Sequence, residues 1–278
     1  MKPILSIIIP CYNSQATLES TLKSILNQEF QEWEAIMVND GSPDNLEEIA
    51  LNYVEKDTRF SYFKKDNGGL GSARNYGIKK ANGAYILPLD SDNQIEKNFT
   101  HDALSVFHKD PSIGVVYGNA EYYGEKIGFW EVDTFNLDKM LVHNYIDACA
   151  VYKKCLWEQV GGYDEKMPYQ GHEDWEFWVA LASLKVEFYH LQKITFKYYV
   201  SSSSMINSFT KDMVLENQDY IISKHSRLFH QHYRDSFKYR NKLKENLLAK
   251  LKSRKFVIDL ICKTFFGFKI FNTKLDEF

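Results

Sequence analysis

The chain has 278 residues, of which 44% are hydrophobic and 26% are charged. This length allows one large α/β domain or two small ones, and the composition is ordinary for a soluble globular protein. No window of about 18 or more apolar residues occurs, so we expect no segment that spans a membrane.

Cysteine usage and the N-terminus indicate a cytoplasmic protein. The four cysteines, at positions 11, 149, 155 and 262, include no pair at metal-ligand or redox spacing, and a chain of this length does not need disulfides. The first apolar run, at residues 4–9, is too short for a signal peptide and is followed at once by Pro10. We therefore expect reduced thiols in the cytoplasm.

Charge is unevenly distributed along the chain. The whole sequence carries 34 Lys and Arg against 37 Asp and Glu, a net charge of −3. Between Lys224 and Lys274, however, 14 basic residues stand against three acidic ones, which leaves 20 basic and 34 acidic residues elsewhere. The sequence thus predicts an acidic body with a basic C-terminal tail.

Strand and helix patterns alternate over about the first hundred residues. Apolar runs predict strands at residues 5–9, 33–38, 60–63 and 85–89. Capping and turn residues predict helices that begin near Asn13 or Ser14, after residues 39–44, and after Ser72, which we expect to cap its helix. This order predicts an α/β fold with a Rossmann-like, mostly parallel sheet flanked by helices.

Asp90, Ser91 and Asp92 follow the predicted strand at residues 85–89. Ligands of α/β sheets bind outside the carboxyl ends of the strands, and burying either carboxylate unpaired would be costly. Hard oxygen ligands of this kind suit Mg²⁺ or Mn²⁺ bridging a diphosphate. An Asx turn that merely ends the strand is the alternative.

Asp40 follows the predicted strand at residues 33–38 and precedes Gly41 and Ser42. Its carboxylate can accept a hydrogen bond from the N–H edge of a nucleobase. Alternatively, Asp40 or Ser42 only caps the following helix.

A glycine-rich segment, residues 67–75, precedes the third predicted helix. Glycines permit close approach of the backbone to a ligand, and a helix N-terminus favours anions. Arg74, which we expect in the first turn of that helix, can add charge-assisted contacts to a phosphate. A glycine-rich turn alone is weak evidence, and the arginine strengthens it.

Glu173 and Asp174 stand at the start of a predicted helix that is apolar nearly all round and therefore buried. Paired carboxylates at this point can simply favour the helix dipole. The functional alternative is a general base at the edge of a cleft, which removes a proton from an acceptor hydroxyl.

In combination, these segments resemble the inverting family 2 glycosyltransferases of the GT-A fold, of the bacterial non-processive type. The resemblance covers roughly residues 4–205 and is carried by residues 8–13, 38–42, 67–75, 90–92 and 171–174. It implies a domain at 1–215, with a nucleotide-binding part (1–95) and an acceptor part (96–215). A basic helical C-terminal extension would follow at 216–278.

The resemblance also implies roles for individual residues. Asp174, together with Glu173, would supply the catalytic base, and Asp92 would bind Mn²⁺ or Mg²⁺ together with Asp90, which would also lie by the ribose. The remaining residues implied in binding the nucleotide-sugar are Pro10, Tyr12, Asp40, Asn67, Gly69, Arg74 and Ser91. The implied reaction is a single displacement that moves one sugar from a nucleotide-sugar to a glycan, lipid-linked or protein-linked hydroxyl, in surface polysaccharide or glycoconjugate assembly.

The chain departs from the family pattern at two points. Asn93 stands where many members carry another acid after the metal triplet, and residues 198–201 lack the histidine that many members have before a serine-rich segment. A further metal ligand is therefore not identified, with His190 only a weak candidate.

Other functions fit the sequence less well. A sugar-nucleotide nucleotidyltransferase needs a glycine-rich, basic phosphate loop directly after the first strand, and a nicotinamide-dependent dehydrogenase needs Gly-x-Gly-x-x-Gly there. This chain has residues 10–13, Pro-Cys-Tyr-Asn, at that point. A catalytically silent binding module would not be expected to retain the acidic and basic residues named above.

The basic tail mixes Lys and Arg with apolar residues at helical spacing. This pattern favours peripheral attachment to an anionic membrane, at the inner face of the cell membrane, where a lipid-linked acceptor would be presented. A helical hairpin packed on the catalytic domain is the alternative. Nucleic-acid binding is not favoured because no recognised module accompanies the charge.

Overall fold

A computed structural model of the chain describes residues 2–202, 204, 208–271 and 273. The chain divides into two compact units, Met1–His225 and Ser226–Phe278. The functional division predicted at residues 215 and 216 stays a prediction.

The N-terminal half of the first unit alternates strands and helices, as the sequence predicts. Its elements are β1 (Leu5–Cys11), α1 (Leu18–Leu26), β2 (Trp33–Asp40), α2 (Leu46–Lys56), β3 (Phe60–Lys65), α3 (Leu70–Lys80) and β4 (Tyr85–Pro88). Every residue of β1 is buried, because a parallel strand with helices on both faces has no solvent side.

The second half of this unit is less regular. It contains β5 (Gln94–Ile95), α4 (Phe99–Lys109), β6 (Ile113–Gly124), β7 (Gly128–Trp130), α5 (Leu137–Met140), β8 (Val151–Lys153), α6 (Lys154–Val160), α7 (Glu173–Ser183), β9 (Glu187–Val200) and α8 (Lys211–Lys224). The predicted buried helix corresponds to α7, in which nine of eleven residues are buried.

All the strands named above belong to one sheet. The strand order is β3-β2-β1-β4-β8-β6-β9-β5, and β7 pairs with β6. The strands β3, β2, β1 and β4 run parallel, whereas β8 is antiparallel to both β4 and β6. The mixed half begins at β8, and the parallel half brings the carboxyl ends of β1, β2 and β4 to one edge.

Two helices begin elsewhere than the sequence predicts. α1 starts at Leu18, since Asn13 has a left-handed φ of 51° and its N–H donates to Ser42 Oγ instead of entering a helix. α3 starts at Leu70 with Gly69 at the N-cap position, so the prediction that Ser72 caps this helix is wrong. The φ of 85° at Gly69 lets the chain enter α3 three residues earlier.

The second unit is helical, as predicted for the C-terminal extension. It contains α9 (Ser226–Leu251) and α10 (Arg254–Phe266), which ends at Gly267 in a left-handed conformation. None of the 26 residues of α9, all of which the structure describes, is buried. Among the described residues, no helix combines the length and the apolar character that crossing a bilayer requires.

Candidate active site

Three of the predicted site segments, residues 8–13, 38–42 and 90–92, lie at the carboxyl edge of the parallel strands. Pro10 is buried in β1, Asp40 is the last residue of β2, and residues 90–92 follow β4 closely. Thr17 Oγ1 donates to the carbonyl of Ser91 at 2.9 Å, which ties the start of α1 to the loop after β4. Tyr12, half exposed, follows β1 at the same edge.

Asp40 holds the glycine-rich segment in place. Its carboxylate accepts from the backbone N–H of Gly68 at 3.0 Å, from that of Gly69 at 2.7 Å and from Lys65 Nζ at 2.6 Å. Asn67 is exposed at the start of this turn. The donors fill much of the capacity of a carboxylate. The predicted contact of Asp40 with a nucleobase stays a prediction.

Gly69 also lies against the loop that leads into α7. A Cβ atom at this position would be 2.5 Å from the side chain of Gln170, so only glycine leaves room for that contact. The glycine segment therefore joins the end of β2 to the start of α7.

Arg74 connects the loop after β4 with α7. It is only 2% exposed, and its Nη2 and Nη1 lie 2.7 Å from Asp90 Oδ1 and 2.9 Å from Glu173 Oε1. Burial opposes the charge of Arg74, but the two carboxylates outweigh burial and raise its pKa. Arg74 is the fifth residue of α3, beyond the first turn, and its observed partners are carboxylates. The predicted contact with a phosphate stays a prediction.

The adjacent acids Glu173 and Asp174 have different surroundings. Both Glu173 oxygens are engaged, one by Arg74 and the other by the N–H of Gly171 at 2.7 Å. Asp174 accepts from Asn144 Nδ2 at 2.9 Å and from the N–H of Trp175 at 2.7 Å. Burial, followed by repulsion from Glu173, raises the pKa of Asp174 well above its ordinary value. A carboxylate in this state is suited to accepting a proton.

Negative charge accumulates around Asp90. Burial, then repulsion from Asp90, raises the pKa of Asp92 to about 7. Asp147 has a raised pKa for the same two reasons, and its carboxylate accepts from the N–H of Cys149. Asp147 could not be predicted as part of this cluster, because it is a lone acid in an irregular segment. The cluster as a whole favours the arrival of a cation.

The first unit matches a known family over most of its length. The model described as "Glycosyl transferase family 2" matches residues 6–190. The chain belongs to glycosyl transferase family 2. This result confirms the family predicted from the sequence motifs.

Similar proteins include a glycosyltransferase and a polysaccharide synthase. The chain is 34% identical over 188 residues to "Uncharacterized glycosyltransferase RT0329" of Rickettsia typhi, which covers 63% of this chain and 58% of that protein. It is 28% identical over 176 residues to "Poly-beta-1,6-N-acetyl-D-glucosamine synthase" of Staphylococcus epidermidis, which covers 59% of this chain and 42% of that protein. The chain thus spans less than two thirds of the length of these relatives.

Solved structures confirm the GT-A fold. S. aureus TarS 1-349 in complex with UDP-GlcNAc superimposes with a TM-score of 0.64 at 22% identity, covering 76% of this chain and 64% of that chain. Mannosyltransferase PcManGT from Pyrobaculum calidifontis, in complex with GDP-Man and Mn²⁺, gives 0.57 at 17% identity, covering 73% and 59%. At these identities the likeness concerns the fold.

The residues predicted to bind a divalent cation are two neighbouring acids, Asp90 and Asp92. Within the described ranges, no group of three His, Cys, Asp or Glu side chains is arranged to hold a metal ion. His190 is engaged elsewhere, since its Nε2 lies 2.9 Å from Asn119 Oδ1 and its ring stacks on Tyr117. Mg²⁺ is commonly held by one or two carboxylates together with substrate phosphates and water, so a pair such as Asp90 and Asp92 fits this chemistry and their metal role stays a prediction.

The two departures from the family pattern have structural explanations. The amide oxygen of Asn93 accepts from the N–H of Tyr199 at 2.9 Å and so ties the loop after β4 to β9. Tyr198 packs edge-on against Tyr122 and Trp130. Burial, followed by nearby acids of which Asp147 is the first, raises the pKa of Tyr198, so its phenol remains protonated beside the site. The residue stands in the segment, 198–201, where the sequence lacks the family histidine, and no local signal indicates that its phenol lies near these acids.

Proposed function

We propose that this chain transfers one sugar from a nucleotide-sugar, specifically a UDP-sugar, to an acceptor hydroxyl, with inversion at the anomeric carbon. The observation that carries this proposal is the pairing of Arg74 with Asp90 and Glu173. This pairing links the loop of residues 90–92, where the metal is proposed to bind, to the start of α7, which contains Asp174. Family membership supports the reaction class.

Asp174 acts as the general base in this proposal. Its carboxylate takes the proton of the acceptor hydroxyl, while Asn144 and the N–H of Trp175 keep its oxygens oriented. The acceptor oxygen forms a bond to the anomeric carbon as the bond to the nucleoside diphosphate breaks on the opposite face. Glu173, whose oxygens are both occupied, keeps Arg74 in position.

Asp90 and Asp92 would hold Mn²⁺ or Mg²⁺ in this proposal. A divalent cation supplies positive charge that stabilises the departing diphosphate. The complex of PcManGT with GDP-Man and Mn²⁺ supports the use of such a metal.

The carboxyl edge of β1, β2 and β4 would receive the nucleotide. Tyr12 offers an exposed ring for the base beside Pro10 and Asp40, and Asn67, Gly69 and Ser91 approach from the neighbouring loops. The UDP-GlcNAc complex of TarS supports UDP as the carrier. The synthase of Staphylococcus epidermidis supports a glycan acceptor and a role in polysaccharide assembly.

A donor screen tests this proposal. Purified protein is incubated with UDP-, GDP- and TDP-sugars in Mn²⁺ or EDTA, and release of the nucleoside diphosphate is measured. We expect metal-dependent release from a UDP-sugar. Binding of a sugar nucleotide with no turnover would instead indicate a silent module. Release of pyrophosphate from UTP and a sugar phosphate would indicate a nucleotidyltransferase.

We also propose that the second unit attaches the enzyme to an anionic membrane surface on the cytoplasmic side. Several large apolar residues are at least 36% exposed there, namely Tyr233, Phe237, Leu243, Leu247, Leu248, Leu251, Ile258, Ile261, Phe265 and Phe266. They lie among the basic residues of the tail. Each basic residue near an anionic surface contributes about 1 kcal/mol, and buried apolar side chains add to this.

Vesicle flotation tests the attachment. The full chain should float with vesicles that contain phosphatidylglycerol and not with phosphatidylcholine alone. Substitution of Phe265 and Phe266 by Ser should weaken flotation, whereas Ile127→Ser, which changes an 89% exposed residue of the first unit, should not. Absence of flotation with either lipid would contradict the proposal and favour the packed hairpin.

A further inference from the structure

Helix α8 carries a fully buried amide that faces the loop before α7. Asn217 has 0% exposure. Its Oδ1 accepts from the N–H of Tyr169 at 2.9 Å, and its Nδ2 donates to the carbonyl of Tyr169 at 3.0 Å. Nδ2 also lies 3.0 Å from His172 Nδ1. A side chain that pairs with both backbone groups of another residue fixes that residue in position.

The contact with His172 fixes the state of this ring. An amide nitrogen can only donate, so Nδ1 of His172 accepts and the neutral ring carries its proton on Nε2. The ring also packs against Trp175 and Phe209. His172 occupies the N-cap position of α7, two residues before Asp174. Its orientation therefore determines how the chain enters the turn that presents Asp174.

The C-terminal end of α8 is fastened to the same region. Lys224 Nζ lies 2.6 Å from Asp164 Oδ2 and 2.8 Å from Glu176 Oε1. His225 Nε2 lies 2.6 Å from the same Glu176 oxygen. Glu176 is 1% exposed and belongs to the first turn of α7, as Asp174 does. α8 thus contacts the entry to α7 from its middle, through Asn217, and from its C-terminal end, through Lys224.

Asn217 contacts none of the residues assigned to the donor, although Gln170, which follows Tyr169, packs against Gly69. Asp40, Asp90 and the glycine segment are held by β2, α3 and their own loops. A change in α8 should therefore move the proposed base more than the donor-binding residues, because Asp40 holds the glycine segment independently of α8.

We propose that Asn217 is a positioning residue, which sets the location of Asp174 by holding Tyr169 and His172. The inference rests on the proposed function, in which Asp174 is the base. Asn217 belongs to the predicted basic extension, residues 216–278, and a single Asn at the start of a long helical stretch does not indicate this role.

Turnover of the full chain with UDP-GlcNAc and Mn²⁺, measured as UDP release, tests the inference. Asn217→Ala should lower kcat by about 10²-fold, the loss that a misplacement of about 1 Å can produce. KM for UDP-GlcNAc should change by less than about twofold, since Asn217 contacts no residue that the proposed function assigns to the donor. Asp219→Ala, an exposed change two residues later on α8, is the matched control and should leave both constants unchanged.

A double-mutant cycle with Asp174→Asn separates positioning from a general loss of structure. If Asn217 acts through Asp174, adding Asn217→Ala to Asp174→Asn should lower kcat by less than about twofold more. Equal losses in both backgrounds would overturn the positioning role. Asn217→Asp, which is nearly isosteric, provides the same comparison if the alanine variant does not fold. Unchanged turnover of Asp174→Asn alone would overturn the assignment of the base, and the positioning role with it.

Discussion

Neighbouring acids in this site differ because their partners differ. Glu173 forms an ion pair with Arg74 and accepts a hydrogen bond from a backbone N–H. The hydrogen bonds to Asp174 come from uncharged donors, and its pKa is raised. Likewise, Asp90 pairs with Arg74 while Asp92, two residues on, has a pKa raised to about 7. At the residue scale, the buried Arg74 thus compensates the charge of Asp90 and Glu173 and leaves Asp92 and Asp174 with raised pKa values.

Asp174→Asn should lower kcat for transfer by about 10²–10⁴-fold, the usual contribution of a general base, with little change in donor affinity. In the unsubstituted enzyme the base must be ionised, so kcat should fall as the pH drops through the raised pKa of Asp174. This acid limb should disappear in the variant. The pH profile of kcat is the measurement, and loss of donor affinity at unchanged kcat would contradict the assignment.

Asp92→Asn should abolish the stimulation of UDP release by Mn²⁺, as should chelation of the unsubstituted enzyme. The same change should raise the free energy of unfolding of the metal-free protein, because it removes a carboxylate that burial and Asp90 disfavour. Metal titration and urea denaturation measure the two effects. Asp66→Asn, at an exposed position, is the control. Full activity of Asp92→Asn in EDTA would refute the metal role.

At the scale of elements, α3 links the nucleotide side of the site to the base side. Its N-terminal segment is held by Asp40, and Arg74 reaches Asp90 and Glu173. The helix also packs closely on the sheet, since a Cβ at Gly77 would lie 2.6 Å from Ile8 Cγ2. The position of Arg74 thus depends on how closely α3 approaches β1.

Gly77→Ala should lower the free energy of unfolding, because overpacking costs about 1–3 kcal/mol and outweighs the gain of about 1 kcal/mol in helix propensity. Gly71→Ala, on the same helix, should be milder, since its Cβ would meet its nearest neighbour, the carbonyl oxygen of Asp164, at 3.3 Å. Urea denaturation of both variants tests this ordering. A Gly71 variant less stable than the Gly77 variant would show that the packing argument is wrong.

At the scale of the whole molecule, the two units differ in secondary structure: the first contains the sheet, and the described part of the second is helical. The first has a sheet core that contains continuous apolar strands. In the second, Asp259 of α10 binds the following segment, as its carboxylate accepts from the N–H groups of Ile270, Phe271 and Thr273. Burial acts against the charge of Asp259, but these hydrogen bonds outweigh it and lower its pKa to about 2.

Asp259→Ala should release Ile270, Phe271 and Thr273 without changing UDP release by the first unit. Loss of the hydrogen bonds to Asp259 should appear as faster hydrogen exchange at the backbone N–H of Ile270 and Phe271, while exchange in β1 stays the same. In the unsubstituted chain, this carboxylate is protonated as the pH falls towards 2, so the protection it provides should be complete above about pH 4 and lost progressively between about pH 4 and 2. Slow exchange retained in the variant would contradict the assigned role.

The sequence alone determined the family, the alternating strands of the first half and the acids at the strand ends. It could do so because apolar runs such as residues 5–9 and turns such as 90–92 are local signals. It did not predict the start of α3, since the N–H groups of Gly68 and Gly69 bind Asp40, which is distant in sequence.

Only the tertiary structure decided which charged groups meet. Arg74 pairs with Glu173, which is 99 positions away in the sequence, and Asp147 lies close enough to Asp90 for the two carboxylates to repel each other. The polar contact of Asn217 with Tyr169 likewise spans 48 positions. No local pattern encodes such pairings, because they depend on how α3, α7 and α8 pack together. The pKa of each carboxylate follows from these contacts and from burial, and both exist only in the folded chain.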